Sequence, residues 1–220
     1  ESYDEEAGAH FTSRDIIYLM CDLLTTGEVL TPEEQQDGIH RTVYDMAMGT
    51  SQMLTCMEER LKMLDSNADI STFGQEINPF TFGIAKADML IHGGDPDNMQ
   101  FGDTLSDDKF KGYQFDYCIS NPPFGIDWKR EAPVVEAEYK KGDAGRFGPG
   151  LPSKSDGQML FLLNGVKKLK DTGRMAIIQN GSSLFTGDAG SGPSKIRQYL
   201  IENDWLDAII QLPNDSFYNT

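Results

Sequence analysis

The sequence predicts a doubly wound α/β domain with a mostly parallel sheet, and three observations carry that prediction. Segments with the two-residue period of a strand alternate with segments of helical period along most of the chain. Strand candidates such as QFDYCIS (residues 114–120), with Phe115, Tyr117, Cys118 and Ile119, read as buried strands of a sheet covered on both faces. Helical segments separate most of the strands, as crossover connections require, and no internal repeat or low-complexity tract interrupts the pattern.

In chain order, residues 12–24 place Ile16, Ile17, Leu19, Met20, Leu23 and Leu24 on one helical face, and Thr12 with Asp15 resembles a capping box. The polar, turn-rich EVLTPEEQQDGIH reads as a loop, and RTVYDMA as a short strand ending near Asp45. A helix over about Gln52 to Leu64 follows, then strand STFGQE, helix TFGIAKADMLIH and a short strand near Met99 to Phe101. Strand QFDYCIS leads into a long loop. Helix DGQMLFLLNGVKKL, strand RMAIIQN, helix SKIRQYLIEN and strand WLDAIIQL complete a count of about six strands.

With 220 residues, 39% hydrophobic and 25% charged, the chain can bury one ordinary core, and residues 1–220 read as a single soluble domain. No apolar run approaches the roughly 18 to 20 residues of a membrane helix, and no charged-then-apolar leader opens the chain. Cys21, Cys56 and Cys118 are odd in number and widely spaced, which fits a reducing cytoplasm and supports neither a disulfide framework nor a zinc site. His10, His40 and His92 have no metal-ligand spacing, so no metal is expected. The chain starts on Glu1 and ends on LPNDSFYNT, and is expected to be an internal piece of a longer polypeptide.

The net charge of −16 is unevenly placed. Residues 1–108 hold 22 acidic against 5 basic side chains, whereas residues 109–174 hold 8 against 12. Within the basic part, the segment at about 125–157 is long for an α/β connection and carries Lys129, Arg130, Lys140, Lys141, Arg146 and Lys154 with Trp128 and Phe147. It is expected to close over nucleic acid and touch phosphates without reading sequence.

Ligands of such a sheet bind beyond the carboxyl ends of the strands. Those ends hold Asp45 and the Gly49 turn, Glu76, Asp103 and Asn121. Gly49 permits close backbone approach, Glu76 can accept from ribose hydroxyls, and Asp103 can accept from an adenine amino group. Together they describe a nucleoside pocket. After the fourth strand comes Asn121-Pro122-Pro123-Phe124. The prolines stop the ladder and stiffen the turn, and the Asn121 carboxamide oxygen and the Pro122 carbonyl form a fixed pair of acceptors. Two acceptors aimed at one exocyclic amine would turn its nitrogen toward a tetrahedral, nucleophilic form, while Phe124 offers an apolar face to a planar base flipped from its stack.

Taken together, GAHFTSRDII, YDMAMGTSQML, FGQEINPFTFGIAKADMLIHG, FGDTLSDDKFKGYQFDYCISNPPFG, GRFGPGLPSKSDGQMLFLL, NGSSLFTGDAGSG and IRQYLIENDWLDAIIQLPNDSFYNT resemble the modification subunit of type I restriction-modification systems, a family of N6-adenine DNA methyltransferases. The resemblance covers nearly the whole chain. It implies a Rossmann-like fold that uses S-adenosyl-L-methionine. It implies that Asn121, Pro122, Pro123 and Phe124 hold the adenine, and that Phe11, Thr12, Asp45, Ala47, Gly49, Thr50, Ser51, Glu76, Ile77, Asp103 and Thr104 hold the cofactor. As partners it implies DNA, a separate DNA-specificity subunit and a restriction nuclease subunit in a hetero-oligomer. Two other readings compete: a protein glutamine N5-methyltransferase, whose substrate amide presents the same NH2 group, and a non-catalytic assembly subunit. The glycine motif departs from the family where Met46 replaces a proline and Ser51 a glycine, and Ser13 stands where the family often has proline. If Ser51 takes positive φ, it carries roughly 1 to 3 kcal/mol of strain.

Overall fold

The computed structural model describes residues 12–214, 216 and 217. Among the described residues, five strands form one wholly parallel sheet: β1 (His40–Asp45), β2 (Asp69–Glu76), β3 (Met99–Phe101), β4 (Phe115–Ser120) and β5 (Leu169–Ile177). Their spatial order is β3-β2-β1-β4-β5. The chain builds outward from β1 to β3, then returns to the other side of β1 for β4. A doubly wound sheet of this order places its ligand crevice at the reversal.

Among the described residues, seven α-helices accompany these strands: α1 (Arg14–Thr25) and α2 (Pro32–Asp37) before β1, α3 (Gln52–Leu64) after β1, α4 (Pro79–His92) after β2, α5 (Ala132–Tyr139) and α6 (Gln158–Lys167) between β4 and β5, and α7 (Gly192–Glu202) after β5. Side chains of α1, α3 and α4 pack with Val43 and Ile119 in one core, whereas those of α5, α6 and α7 pack with Tyr44 and Cys118 in another. Adjacent residues of β1 thus enter opposite layers, as the strand period requires. The sheet is covered on both faces, and β1 ends in three consecutive buried residues, Val43, Tyr44 and Asp45.

Four expectations need correction. WLDAIIQL forms no strand: residues 205–210 are exposed and have no ladder partner, so the sheet has five strands instead of six. Alternation and β-branched residues describe a segment that fits a sheet, but they do not supply a neighbouring edge. Thr12 and Asp15 do not form a capping box. Ser13 is the N-cap of α1 and makes no side-chain cap bond, while the Thr12 hydroxyl faces Asn121. The loop 28–40 contains α2, started by a capping box in which Thr31 accepts from the Glu34 amide at 3.2 Å and Glu34 accepts from the Thr31 amide at 3.0 Å. The Thr-Pro-Glu-Glu run carried that signal in the sequence.

The fourth correction concerns the basic segment, which is a packed element. It contains α5, and Trp128 and Phe147 are buried in the second core. Arg146 is buried as well, engaged with Glu138, and so cannot reach a phosphate. Lys129 pairs with Asp127, and Lys154 with Glu136 at 2.8 Å. Lys140 and Lys141 are exposed just beyond α5.

Three ion-pair groups secure the sheet. Lys168, at the end of α6, is buried and pairs with buried Asp108 at 2.8 Å, also donating to the Phe110 carbonyl at 2.8 Å. Burial pushes its pKa down, against the opposing pull of Asp108. Glu28 receives Arg41 and the Tyr117 hydroxyl, linking the α1–α2 connection to β1 and β4. On β4, Asp116 accepts from the Thr42 amide and hydroxyl, each at 2.8 Å, and pairs with Lys170. All three cysteines are free and buried, and burial lifts the Cys21 thiol to about 12. Among the described residues no helix is long and apolar enough to cross a membrane.

Candidate active site at the carboxyl edge of the sheet

The turn after β1 carries the most constrained residues of the site. The Asp45 side chain is buried, and its Oδ1 accepts from the Ala47 amide at 3.0 Å and from the Ser120 hydroxyl at 2.6 Å. Burial pushes its pKa up to about 7, with the Glu76 charge acting in the same direction. Gly49 has φ 54° with open space where a Cβ would stand. Ser51 has φ 69° and ψ 10°, the left-handed conformation that a glycine would hold without strain. The structure therefore locates the strain foreseen at this position. Its offset is local: the Ser51 hydroxyl donates to Asp88 Oδ2 on α4 at 3.2 Å, beside Thr55 at 3.3 Å.

At the end of β2, Glu76 takes one amide on each oxygen, Gly49 at 2.8 Å and Asn78 at 2.7 Å. The carboxylate is thereby aimed, and each oxygen keeps a lone pair for a hydroxyl donor. Asn78 caps α4 through the Phe80 amide at 2.9 Å, with Pro79 at the first helical position. After β3, Asp103 stiffens its own turn by accepting from the Leu105 and Ser106 amides at 3.1 and 3.2 Å. The Thr104 hydroxyl donates to the Met46 carbonyl at 2.6 Å, binding this wall to the β1 turn.

At the end of β4, Asn121 Nδ2 donates to Thr12 Oγ1 at 2.9 Å. Its Oδ1 is buried and has no hydrogen-bond partner among the described residues. A buried acceptor without a donor costs about 1 to 3 kcal/mol, so such an atom marks a place where a donor arrives.

These groups line one cleft of about 230 Å³. Of the expected residues, Thr12, Asp45, Ala47, Gly49, Thr50, Glu76, Ile77, Asp103, Thr104, Asn121 and Pro123 border it. Ser51 lies beneath the turn, and Pro122 and Phe124 are not in the lining; the Phe124 ring lies 6.3 Å from that of Phe217. Phe11 falls outside the described residues. Sequence reading passed over Met48, Gln52, Met53, Asn78, Thr81, Ile126 and Phe161, which also line the cleft. The Asn78-Pro79 pair, an N-cap followed by proline, was the available signal for the α4 end of this group.

Among the described residues the lining holds three carboxylates, Asp45, Glu76 and Asp103, and no Lys or Arg. A dinucleotide places its pyrophosphate over the turn after the first strand, and three acidic groups there oppose it. A nucleoside carrying a sulfonium and an ammonium suits the same charges, with Glu76 placed for ribose hydroxyls and exposed Ile77 for a base face. The residues present thus fit S-adenosyl-L-methionine by the chemistry of the donor set.

A family model described as N-6 DNA methylase matches residues 1–220. The chain belongs to the N-6 DNA methylase family. It is 29% identical to a type I restriction enzyme MpnII methylase subunit from Mycoplasma pneumoniae, over 98% of this chain and 39% of that one. It is 30% identical to the MjaVII methylase subunit from Methanocaldococcus jannaschii, over 88% of this chain and 34% of that one. The solved structure of the type I restriction-modification system methyltransferase subunit from Streptococcus thermophilus superposes with a TM-score of 0.79 at 30% identity, over 97% of this chain and 43% of that one. This N-6 methylase chain therefore spans about two fifths of the length of these relatives.

Two stability measurements test the β1 turn. Ser51→Gly and Ser51→Ala both lose the bond to Asp88, but only alanine keeps the left-handed strain. Urea unfolding should show Ser51→Gly more stable than Ser51→Ala by about 1 kcal/mol, and equal stabilities would place the strain elsewhere. The raised pKa of Asp45 means that the folded state holds its proton more tightly than the unfolded state. That contribution is complete below the ordinary value of 3.8 and disappears as pH rises through about 7. Relative to Asp45→Asn, the wild type should lose stability across this window and level off above it; parallel curves would refute the assignment.

Proposed function

We propose that this domain transfers a methyl group from S-adenosyl-L-methionine to the N6 amino group of adenine in DNA, as part of the modification subunit of a type I restriction-modification complex. The observation that carries this reading is the Asn121 Oδ1, unpartnered among the described residues, beside an acidic cleft whose described lining holds no Lys or Arg. The cofactor supplies a methyl group on a sulfonium, already a good leaving group, so no strong base is required. Asn121 Oδ1 and the Pro122 carbonyl would accept hydrogen bonds from the two amino hydrogens and turn the nitrogen lone pair toward the methyl carbon; the N–C bond would form as the sulfonium S–C bond breaks, and the surplus amino proton would leave to solvent. Asp45, Glu76 and Asp103 hold the cofactor's cationic and hydroxyl groups. Pro122 and Pro123 keep the acceptors fixed, so that catalysis is mainly positioning. Phe124 offers an apolar face to the flipped base.

Lys140 and Lys141, exposed just beyond α5 as Arg130 is just before it, are assigned to DNA phosphates. The acidic remainder places sequence recognition on a separate specificity subunit, with a restriction nuclease subunit as a further partner in the same cytoplasmic hetero-oligomer. The relatives, which are named methylase subunits of type I restriction enzymes, support this assembly. A second reading, a non-catalytic assembly subunit, is favoured only by the strained Ser51 and by Met46 in the glycine motif.

In the complete complex, Asn121→Ala should lower kcat for methyl transfer to genomic DNA by about 10²- to 10³-fold while still binding cofactor. Retained methylation, or methylation of a base other than adenine, would defeat the proposal. Replacing Lys140 and Lys141 together by Glu should weaken DNA binding and reduce the salt slope by about 2. An unchanged slope would remove the segment from the DNA interface.

A further inference from the structure

Arg146 is only 8% exposed, and all five of its N–H groups are engaged inside the protein. Nη1 donates to the Thr104 carbonyl at 2.7 Å and to Asn164 Oδ1 at 3.1 Å. Nη2 donates to the Leu105 carbonyl at 3.0 Å and to Glu138 Oε1. Nε donates to Glu138 Oε2 at 2.9 Å. Glu138 lies on α5, and the chain from it to Arg146 is wound tightly back. A Cβ on Gly145 would stand 1.9 Å from the Glu138 carbonyl oxygen, and one on Gly148 would stand 2.1 Å from that of Gly142. Glycine at both positions lets the turn bring the guanidinium onto the carboxylate.

The far side of this clamp is the wall of the cleft. β3 is only three residues long, so the ladder does little to place the loop that follows it. That loop carries Asp103 and Thr104, and two of its carbonyls depend on Arg146 for a donor. The same wall reaches the β1 turn through the Thr104 hydroxyl on the Met46 carbonyl, one residue after Asp45. Asn164, the third partner, donates to the Tyr44 hydroxyl at 3.4 Å, one residue before Asp45. Without the guanidinium, two loop carbonyls and the buried Asn164 carboxamide oxygen would lose their donor, and the loop would have to move to recover hydrogen bonds.

We propose that Arg146 is a positioning residue for the methyl-donor cleft: it touches no ligand, but fixes the Asp103–Thr104 wall against the end of β1 and so sets cofactor affinity. The inference rests on the cofactor reading above. Lysine keeps the charge but has no planar fork to reach two carbonyls, an amide and a carboxylate together. Glu138→Gln leaves the guanidinium on its carbonyls with a weaker anchor behind it.

The test is calorimetric titration of S-adenosyl-L-methionine into the full-length chain as wild type, Arg146→Lys and Glu138→Gln, with KM and kcat measured in the complete complex and thermal unfolding measured without ligand. Arg146→Lys should weaken Kd by about tenfold or more and raise the cofactor KM in step, with kcat at saturating cofactor within about threefold of wild type. Glu138→Gln should give a smaller loss of the same kind. A lowered melting temperature with wild-type Kd would make Arg146 merely structural and overturn the inference. If Arg146→Lys does not fold, wild-type Kd in Glu138→Gln overturns it instead. A wild type that binds no cofactor defeats the functional reading, and this inference with it; wild-type binding with unaltered variants defeats the inference alone.

Discussion

The reversal of strand order at β1 is the constraint on which the rest of the molecule depends. The chain leaves β1 toward β2 and β3, then returns across the sheet to β4, so the connections diverge and leave a crevice at the carboxyl ends. Everything with chemical use is delivered to that crevice by a strand end: Asp45 by β1, Glu76 by β2, Asp103 by β3 and Asn121 by β4. Parallel pairing fixes their relative heights, Tyr44 lying against Phe73 on one side and Cys118 on the other. Two cores, one on each face, then hold the sheet rigid beneath the site.

The same edge concentrates the unfavourable terms of the structure. Among the described residues Asp45 is buried without a cation and Asn121 Oδ1 lacks a donor, and Ser51 is left-handed. A domain selected only for stability would have removed each of them, and functional sites are where such compromises persist. Local bonds moderate them: Ser120 on Asp45, Asp88 on Ser51, Thr12 on the amide end of Asn121. What remains unsatisfied matches a ligand that brings positive charge and an amino group.

Most of this was legible in the sequence because strand ends are marked by residue type. The acid after an apolar run, the glycine turn and the Asn-Pro-Pro stop marked the strand ends at Asp45, Gly49 and Asn121, and the expected helix over Gln52 to Leu64 is the observed span of α3. Contacts between segments distant in the chain were not legible. Nothing in the sequence joins Thr12 to Asn121, or Arg146 to Thr104 and Glu138. Charge counting misassigned Arg146 because a basic residue in a basic run looks solvated until its partners are known. Residues 205–212 failed for a related reason, since a strand needs a neighbour as well as a pattern.

The central claim is that an acidic nucleoside cleft beside an amine clamp binds a cationic methyl donor and not a phosphate-bearing dinucleotide. Parallel calorimetric titrations of the full-length protein with S-adenosyl-L-methionine and with NAD test it most directly. The account predicts saturable one-to-one binding of S-adenosyl-L-methionine and none of NAD at equal concentration. Binding of NAD with no binding of S-adenosyl-L-methionine would contradict it.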